Sequence, residues 1–496
     1  MSDVKAVNRL ISAALDPSEV TQAQFAANIP TVIAPFSPAQ IRDSFLPFLT
    51  TWLPKNNKTI TQNVANHLNA IVKAAGGLAP SAGLIEALIS SEEPNTLNKI
   101  VESLSAFKND PMIDELITRL LLSQYDTVRS FIPKLLPISS SEASNLKFCQ
   151  TLARDKSFIV RFALAEYLPS LPDKDMQQVS QILIQDPQLR IRAYLAVACI
   201  KLPTFFKDIA PSLLKDIDWS VRASLATQVV SALDPEQAAS IATKLVDDNV
   251  WQVKLCALQS LTKLLDKSPP IKYNQGLNVI STLSELISFP QFSLKAAVID
   301  CFFAIAMHDG DSIPIDKLKP FVNDLVTNQP PNVKLHFLNT IASTKKQEFA
   351  ALIENKISSI VDALSRDDKW RVRLGVVEEL QALSALMPNS KCAADFATLC
   401  LRLTEDEAYP VRMASIKYLS AQFASEGTNI PACVMQMKAK DSFRRRQTAL
   451  LILSEMRKAT NDTDFKDHLL KEMTSFKEDS CRNVSLLANK LIEEAS

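Results

Sequence analysis

The residues able to do chemistry are few and scattered. Four histidines, His67, His308, His336 and His468, stand far apart, and none sits in a metal-ligand spacing. Eight cysteines, Cys149, Cys199, Cys256, Cys301, Cys392, Cys400, Cys433 and Cys481, form no C-x-x-C pair and fall within apolar helical patterns. They read as small core thiols in a reducing compartment. Only seven glycines occur: Gly76, Gly77, Gly83, Gly276, Gly310, Gly375 and Gly427. They build neither G-x-G-x-x-G nor G-x-x-x-x-G-K-[ST], so the usual phosphate-cradling loops are missing. The 54 basic and 54 acidic side chains balance to zero, which argues against a general polyanion binder. The expectation is a non-enzyme without metal, cofactor or nucleic acid. The start, MSDVKAVNRL, does not read as a signal segment, and no long uncharged apolar run predicts a membrane span.

The chemistry that does recur is ion pairing. A phrase of Asp, a few residues, often an aromatic, then Val-Arg and an apolar run appears repeatedly. It reads DKSFIVRFALAEYL at Asp155–Leu168, DPQLRIRAYLAVAC at Asp186–Cys199, DIDWSVRASLATQV at Asp216–Val229 and DNVWQVKLCALQSL at Asp248–Leu261. It returns as DDKWRVRLGVVEEL at Asp367–Leu380 and DEAYPVRMASIKYL at Asp406–Leu419. The basic residue serves as anchor: Arg161, Arg192, Arg222, Lys254, Lys295, Lys334, Arg373, Arg412 and Arg446, then Ser485, spaced 30–41 residues apart. Upstream the phase continues through Gln22, Thr61, Leu97 and Arg129. An anchor cation can pair with the Asp of the next unit. This predicts a ladder of Asp155, Arg161, Asp186, Arg192, Asp216, Arg222, Asp248, Lys254, Asp367, Arg373, Asp406 and Arg412, with exposed pairs each contributing only ~0–1 kcal/mol.

Such a repeat needs helices to position it. Periods of this length without strand signals indicate an α-solenoid, here about fourteen units of two helices each. Val160, Ala163, Leu164 and Tyr167 share one helical face, so the second helix is expected to begin near the anchor. The first helix precedes the Asp, as in Ser44–Leu53, Ile357–Ser365 and Phe396–Thr404. The Asp lies in the intervening turn, where its carboxylate can cap the second helix. Scarce glycine and 7% aromatics also disfavour a β fold. Residues 1–496 thus read as one continuous all-α solenoid, a right-handed superhelix of antiparallel pairs, with its turns along one ridge.

The Asp-x-x-aromatic-x-Val-Arg phrase resembles the HEAT repeat. Asp367–Glu379, with its DKWRVRL core, is similar to the eleventh repeat of the scaffold (A) subunits of type 2A serine/threonine protein phosphatases. FLPFLTTWLP at Phe45–Pro54, VESL at Val101–Leu104, WSVR at Trp219–Arg222 and AYPVR at Ala408–Arg412 resemble other repeats of that family, in order. The resemblance implies a heterotrimer scaffold. It would hold a phosphatase catalytic subunit on C-terminal turns, about residues 350–496, and one regulatory B-type subunit on N-terminal turns, about 1–260. The family has fifteen repeats; here the fourteenth ends the chain, so its last catalytic-subunit contact is expected to be absent or altered. Localisation is expected to be cytoplasmic, with a nuclear pool allowed.

Residue by residue, the resemblance assigns Trp370, Arg371, Tyr409, Phe443, Arg444 and Arg482 to the catalytic subunit. It assigns Ser157, Phe158, Ile159, Leu189, Arg190, Trp219 and Ser220 to the regulatory subunit. Aromatics and Arg dominate interface hot spots, and large aromatics are unusual in turns. The bland alternative for Trp370 is a ring folded back over its own helix pair; for Trp251 it is core packing; for Arg445 in FRRR it is a solvated basic turn. In the ninth and tenth units Phe289 and Asn328 replace the Asp. With SPP at Ser268–Pro270 and HDGDSIP at His308–Pro314, this predicts a compliant joint. Two other functions compete. A nuclear transport receptor shares the architecture, though such chains usually run longer and are often acidic. A HEAT-like glycosylase would need a basic groove and a catalytic carboxylate.

Overall fold

The computed structural model describes residues 14–494 except 16–17, 54–57, 91–93, 199–202, 267–275, 309–314, 345–346, 388–391, 427–428 and 441. Cys199, Ser268–Pro270 and most of the His308–Pro314 loop therefore lie outside the described residues. The chain forms two compact units, Met1–Leu245 and Val246–Ser496. Among the described residues each unit is helical and without strands. In each, a first helix, a tight turn and a second helix repeat. Glu142–Leu152 with Phe158–Tyr167 and Asp173–Leu183 with Leu189–Ala198 are examples from the first unit. Cys392–Leu403 with Tyr409–Glu426 is an example from the second.

First helices pack on first helices, and second helices on second helices, giving two layers within each unit. This is the HEAT-type helical solenoid. The helices bury apolar stripes between the layers, and Phe206, Phe302, Phe321, Phe337 and Phe396 are among the largest fully buried side chains. Phe302 and Phe321 pack with tilted rings, centroids 4.4 Å apart. Burial of such stripes, at about 25 cal/mol per Å² of apolar surface, is the main stabilising term.

Three details differ from the sequence expectation. The second helices start three residues before the anchor, at Phe158, Leu189, Trp219, Trp251, Phe292, Pro331, Trp370, Tyr409, Phe443 and Arg482. The aromatics thus occupy the first helical position and not the turn itself. The stripe of Phe158–Tyr167 is Val160, Arg161, Leu164 and Ala165, while Ala163 and Tyr167 are half-buried, because Arg161 is drawn inward by an ion pair. The N-terminal repeats are built from short pieces such as Leu46–Trp52, Leu68–Ala74 and Asp126–Phe131, which blurs their periodicity.

Glycine scarcity has a structural counterpart. Among the described residues only Gly76, Gly77 and Asn109 have positive φ. Gly375 serves close packing instead: a Cβ there would meet Leu335 Cδ2 at 2.8 Å. Among the described residues seven cysteines are unbridged; Cys149, Cys301, Cys392 and Cys400 are buried, but Cys256, Cys433 and Cys481 are only half-buried. Burial pushes the Cys149, Cys301 and Cys400 thiols up to about 12, which suits inert packing groups. In the last helix, Arg482–Glu493, Val484, Ala488 and Leu491 are buried and Leu486 is exposed. No described helix is long and apolar enough to cross a membrane.

Candidate functional site

The turns that carry the repeat Asp are built the same way. Oδ1 accepts the N–H two residues on: Ser157 from Asp155, Gln188 from Asp186, Val250 from Asp248, Lys369 from Asp367 and Ala408 from Asp406, all at 2.8 Å, with Asp218 from Asp216 at 2.9 Å. The Asp therefore closes an Asx turn ahead of the helix rather than capping it. Where the cap is side-chain based, another residue supplies it, as Asp218 does for Ser220 N–H at 2.8 Å.

The anchor arginine ties this turn down twice. Its Nη1 donates back to the carbonyl of its own turn Asp, Arg161 to Asp155 at 2.8 Å. Arg192, Arg222, Arg373 and Arg412 do the same to Asp186, Asp216, Asp367 and Asp406 at 2.7 Å. Nε and Nη2 then fork onto the next repeat's carboxylate. Arg161 reaches Asp186 at 2.5 and 3.1 Å, Arg192 reaches Asp216 at 2.7 and 2.9 Å, and Arg373 reaches Asp406 at 2.7 and 2.8 Å. Arg129–Asp155 and Arg446–Asp479 add further rungs.

These rungs are not the exposed pairs expected from spacing. The Arg161 and Asp186 side chains are only 10% and 3% exposed. A buried bidentate pair must be complete, because removing one partner strands a charge. Electrostatics agree. Burial tends to raise the Asp155 and Asp406 carboxyls, yet Arg129 with the Ser157 N–H, and Arg373 with the Ala408 N–H, hold them below the usual range. The Asp186, Asp216 and Asp406 carboxylates raise the facing Arg161, Arg192 and Arg373.

The ladder departs from the expected list at the lysine anchors. Lys254 Nζ donates to the Val246 carbonyl, 3.1 Å away. Lys295 is buried and meets Gln329 Oε1 at 2.6 Å, while Gln329 Nε2 donates to Asp324 Oδ2 at 3.0 Å. Lys334 Nζ reaches only the Thr327 carbonyl, at 3.4 Å. Where Phe289 and Asn328 displaced the Asp, an amide rung thus stands at one step. Arg412 keeps its turn contacts and lies 5.6 Å from the Tyr409 ring.

With the turns fixed, the first helical positions carry the exposed groups. In the second unit Tyr409 is 63% exposed, and Phe443, Arg444 and Arg482 are exposed. Trp370 is half-buried, with the Arg371 guanidinium 4.7 Å from its ring centroid and itself exposed. Trp251 is half-buried as well. Arg445 is not merely solvated: its Nε binds Glu405 Oε1 at 2.6 Å, from one repeat to the next. In the first unit Ile159, Leu189, Arg190 and Trp219 are exposed, and Phe158 is half-buried. Ser157 and Ser220 act as fasteners, Ser157 Oγ on Asp126 Oδ2 at 2.9 Å and Ser220 Oγ on Asp218 Oδ1 at 2.6 Å.

Sequence reasoning missed Ile217, which is 96% exposed, and Leu122 and Tyr125 in an earlier turn. An apolar residue between Asp216 and Asp218 was the available signal. Each unit thus offers exposed apolar and aromatic side chains fixed at helix starts, next to fully satisfied turns. Such a surface can dock protein segments. Among the described residues no group of three His, Cys, Asp or Glu could hold a metal ion.

Comparison with known proteins places the fold. No family model matches the chain, and no curated protein matches it. Solved structures do. Kap121p is similar at TM-score 0.58 and 14% identity, over 98% of this chain and 56% of that one. Kap121p bound to RanGTP gives 0.55 and 13%, over 99% and 56%. Kap121p bound to Ste12p gives 0.53 and 14%, over 99% and 56%. The chain therefore spans little more than half the length of these structures, and identity at this level speaks for the fold, a HEAT-type helical solenoid.

Proposed function

We propose that this chain is a non-enzymatic adaptor that holds partner proteins on the turn ridges of its repeats. The observation that carries this reading is the coupling of exposed aromatics at helix starts to turns locked by buried Arg–Asp rungs. Rigid presentation lowers the ordering cost of docking, and two partners held together raise each other's effective concentration.

Two finer readings share this architecture. The DKWRVRL segment and the Trp370–Arg371 pair favour a phosphatase scaffold in a cytoplasmic heterotrimer. There the catalytic subunit would sit on Trp370, Arg371, Tyr409, Phe443, Arg444 and Arg482, and a regulatory subunit on the ridge of the first unit. The likeness to Kap121p favours the other reading, a nuclear transport adaptor. Affinity capture with the native chain and with Trp370→Ala distinguishes them. The scaffold reading expects a Ser/Thr phosphatase catalytic subunit with the native chain, lost in Trp370→Ala while a regulatory subunit remains. Recovery of a Ran-type GTPase with no phosphatase would establish the transport reading instead. Full phosphatase binding by Trp370→Ala would displace the proposed catalytic-subunit site.

A further inference from the structure

On two neighbouring second helices of the first unit, the ridge residues Phe158, Ile159 and Leu189 continue along the exposed helix faces into a surface that the ladder does not use. On Phe158–Tyr167, residues Phe158, Ile159, Phe162 and Glu166 lie opposite the buried face of Val160, Leu164 and Ala165. Phe158 and Phe162 pack with centroids 5.8 Å apart. The strip continues onto the helix Leu189–Ala198, where Tyr194 meets Phe162 edge-on at 5.6 Å. All three rings are half-exposed, and Ile159, Leu189 and Val197 beside them are exposed.

A run of six large apolar side chains on two adjacent helices is more than a monomer's scattered surface apolarity requires. Its charge is specific. Glu166 is exposed one turn beyond Phe162, and among the described residues no cation pairs with it. Glu166 stands one helical turn from Phe162, whose ring meets Tyr194, so the carboxylate and the rings share one site; burial, with the Glu166 charge, also holds the Tyr194 phenol above its ordinary value. Arg190, one turn before Tyr194, is also exposed and limits the site towards the ridge. Aromatic faces next to an uncompensated carboxylate attract a planar cation, which stacks on the rings and forks onto the acid.

We propose that Phe162, Tyr194 and Glu166 form an acceptor site for an arginine side chain of a docked partner protein. Phe158, Ile159 and Val197 would receive the apolar residues flanking that arginine. The inference deepens the adaptor reading and rests on it for the biological partner, but the site's chemistry is testable without one.

The test uses the full chain labelled with 3-fluorotyrosine. The chain has six tyrosines, and the signal lost in Tyr194→Phe identifies the one that matters. The probes are N-acetyl-arginine amide and its neutral citrulline analogue. The expected result is a saturable shift of the Tyr194 signal with the arginine probe and little with citrulline. Glu166→Gln, an exposed change that leaves the core untouched, is expected to weaken binding roughly three- to fivefold. Equal responses to the two probes, no response at Tyr194, or unchanged binding in Glu166→Gln would each overturn the proposal. Those failures are separate from failure of affinity capture, which would remove the adaptor reading and leave the arginine response as measured.

Discussion

From Arg129 to Asp216 successive repeats are joined by arginine–aspartate forks, and forks recur at Arg373–Asp406 and Arg446–Asp479. At 254, 295 and 334 the anchor is lysine, and of these only Lys295 is drawn to the next repeat's side chain. The contrast follows from side-chain shape. A guanidinium spends Nη1 on its own turn and still offers Nε and Nη2, in one plane, to the next carboxylate. An ammonium is a single point on a flexible stem and serves one of these tasks at a time. Lys254 and Lys334 serve their own repeat; Lys295 serves the next, but through an amide. Fastening between repeats is therefore strong in the arginine stretches and weaker at the lysine steps.

The largest effect should come from breaking a fork. Arg161→Ala leaves Asp186 buried without its partner, and Arg373→Ala does the same to Asp406. Each is expected to cost about 3–5 kcal/mol locally. Segment-resolved hydrogen exchange with denaturant titration would show loss of protection centred on the two joined repeats. If either change costs under about 1 kcal/mol, the forks are ornaments on a helix-packed stack, and the comparison fails.

Acid should separate the regions next. Arg373 and the Ala408 N–H hold Asp406 below its ordinary 3.8, and Arg446 does so for Asp479. Stability from a depressed carboxylate is fully present above the unfolded value and is lost as pH falls through the folded value. The forks should thus open only below about pH 3.8. Asp266, near the lysine steps, is raised by burial and by Asp300. Its contribution has the opposite sign: it is present in acid and lost as pH rises through the folded value. Exchange profiles corrected for intrinsic rates should show the Arg373–Asp406 and Arg446–Asp479 segments loosening first below pH 4. Simultaneous loosening around Asp266 would mean that acid acts through general charge repulsion.

A smaller effect is expected at the amide rung. Lys295→Met removes a buried cation whose partner, Gln329, keeps its bond to Asp324, so the cost should be about 1–2 kcal/mol. The pair Lys295→Arg with Gln329→Asp rebuilds a fork and should raise protection across the helices Phe292–His308 and Pro331–Thr344. A loss as large as that of Arg161→Ala would show that the lysine steps are fastened as firmly as the forks. It would also remove the basis for a compliant joint there.

Much of this was legible in sequence because the fork is written at fixed distances. Asp155, Arg161 and Asp186 announce a turn, an anchor and the next turn, and helical periodicity supplies the rest. Burial of the rungs was not legible, since nothing in the spacing says that the guanidinium lies under the neighbouring turn. The second helices start two to three residues ahead of expectation, because the turn is already closed by the Asp three residues before Phe158 and Trp370. Gln329 was invisible for a related reason: it stands one residue past the position where the ladder Asp belongs. The ridge aromatics were found by position, but the Phe162–Tyr194 contact joins two repeats 32 residues apart and needs coordinates.

The smallest stability change should come from the ridge, and it bears most directly on function. Tyr409 is largely exposed, and the Arg412 guanidinium lies 5.6 Å from its ring. Arg412 itself remains tied to the Asp406 and Glu407 carbonyls at 2.7 and 2.9 Å, so Tyr409→Ala leaves the turn closed. Its cost to folding should stay within about 0.5 kcal/mol. Removing an interface anchor, in contrast, commonly costs 2 kcal/mol or more of binding, roughly a thirtyfold loss of affinity. The ratio of the two effects is the informative quantity. Arg373→Ala should damage folding and partner capture together, because it loosens the turn that presents Tyr409. Tyr409→Ala should damage capture alone. If Tyr409→Ala leaves capture intact while Arg373→Ala abolishes it, the ladder matters to binding only through fold stability, and the partner surface lies elsewhere on the second unit.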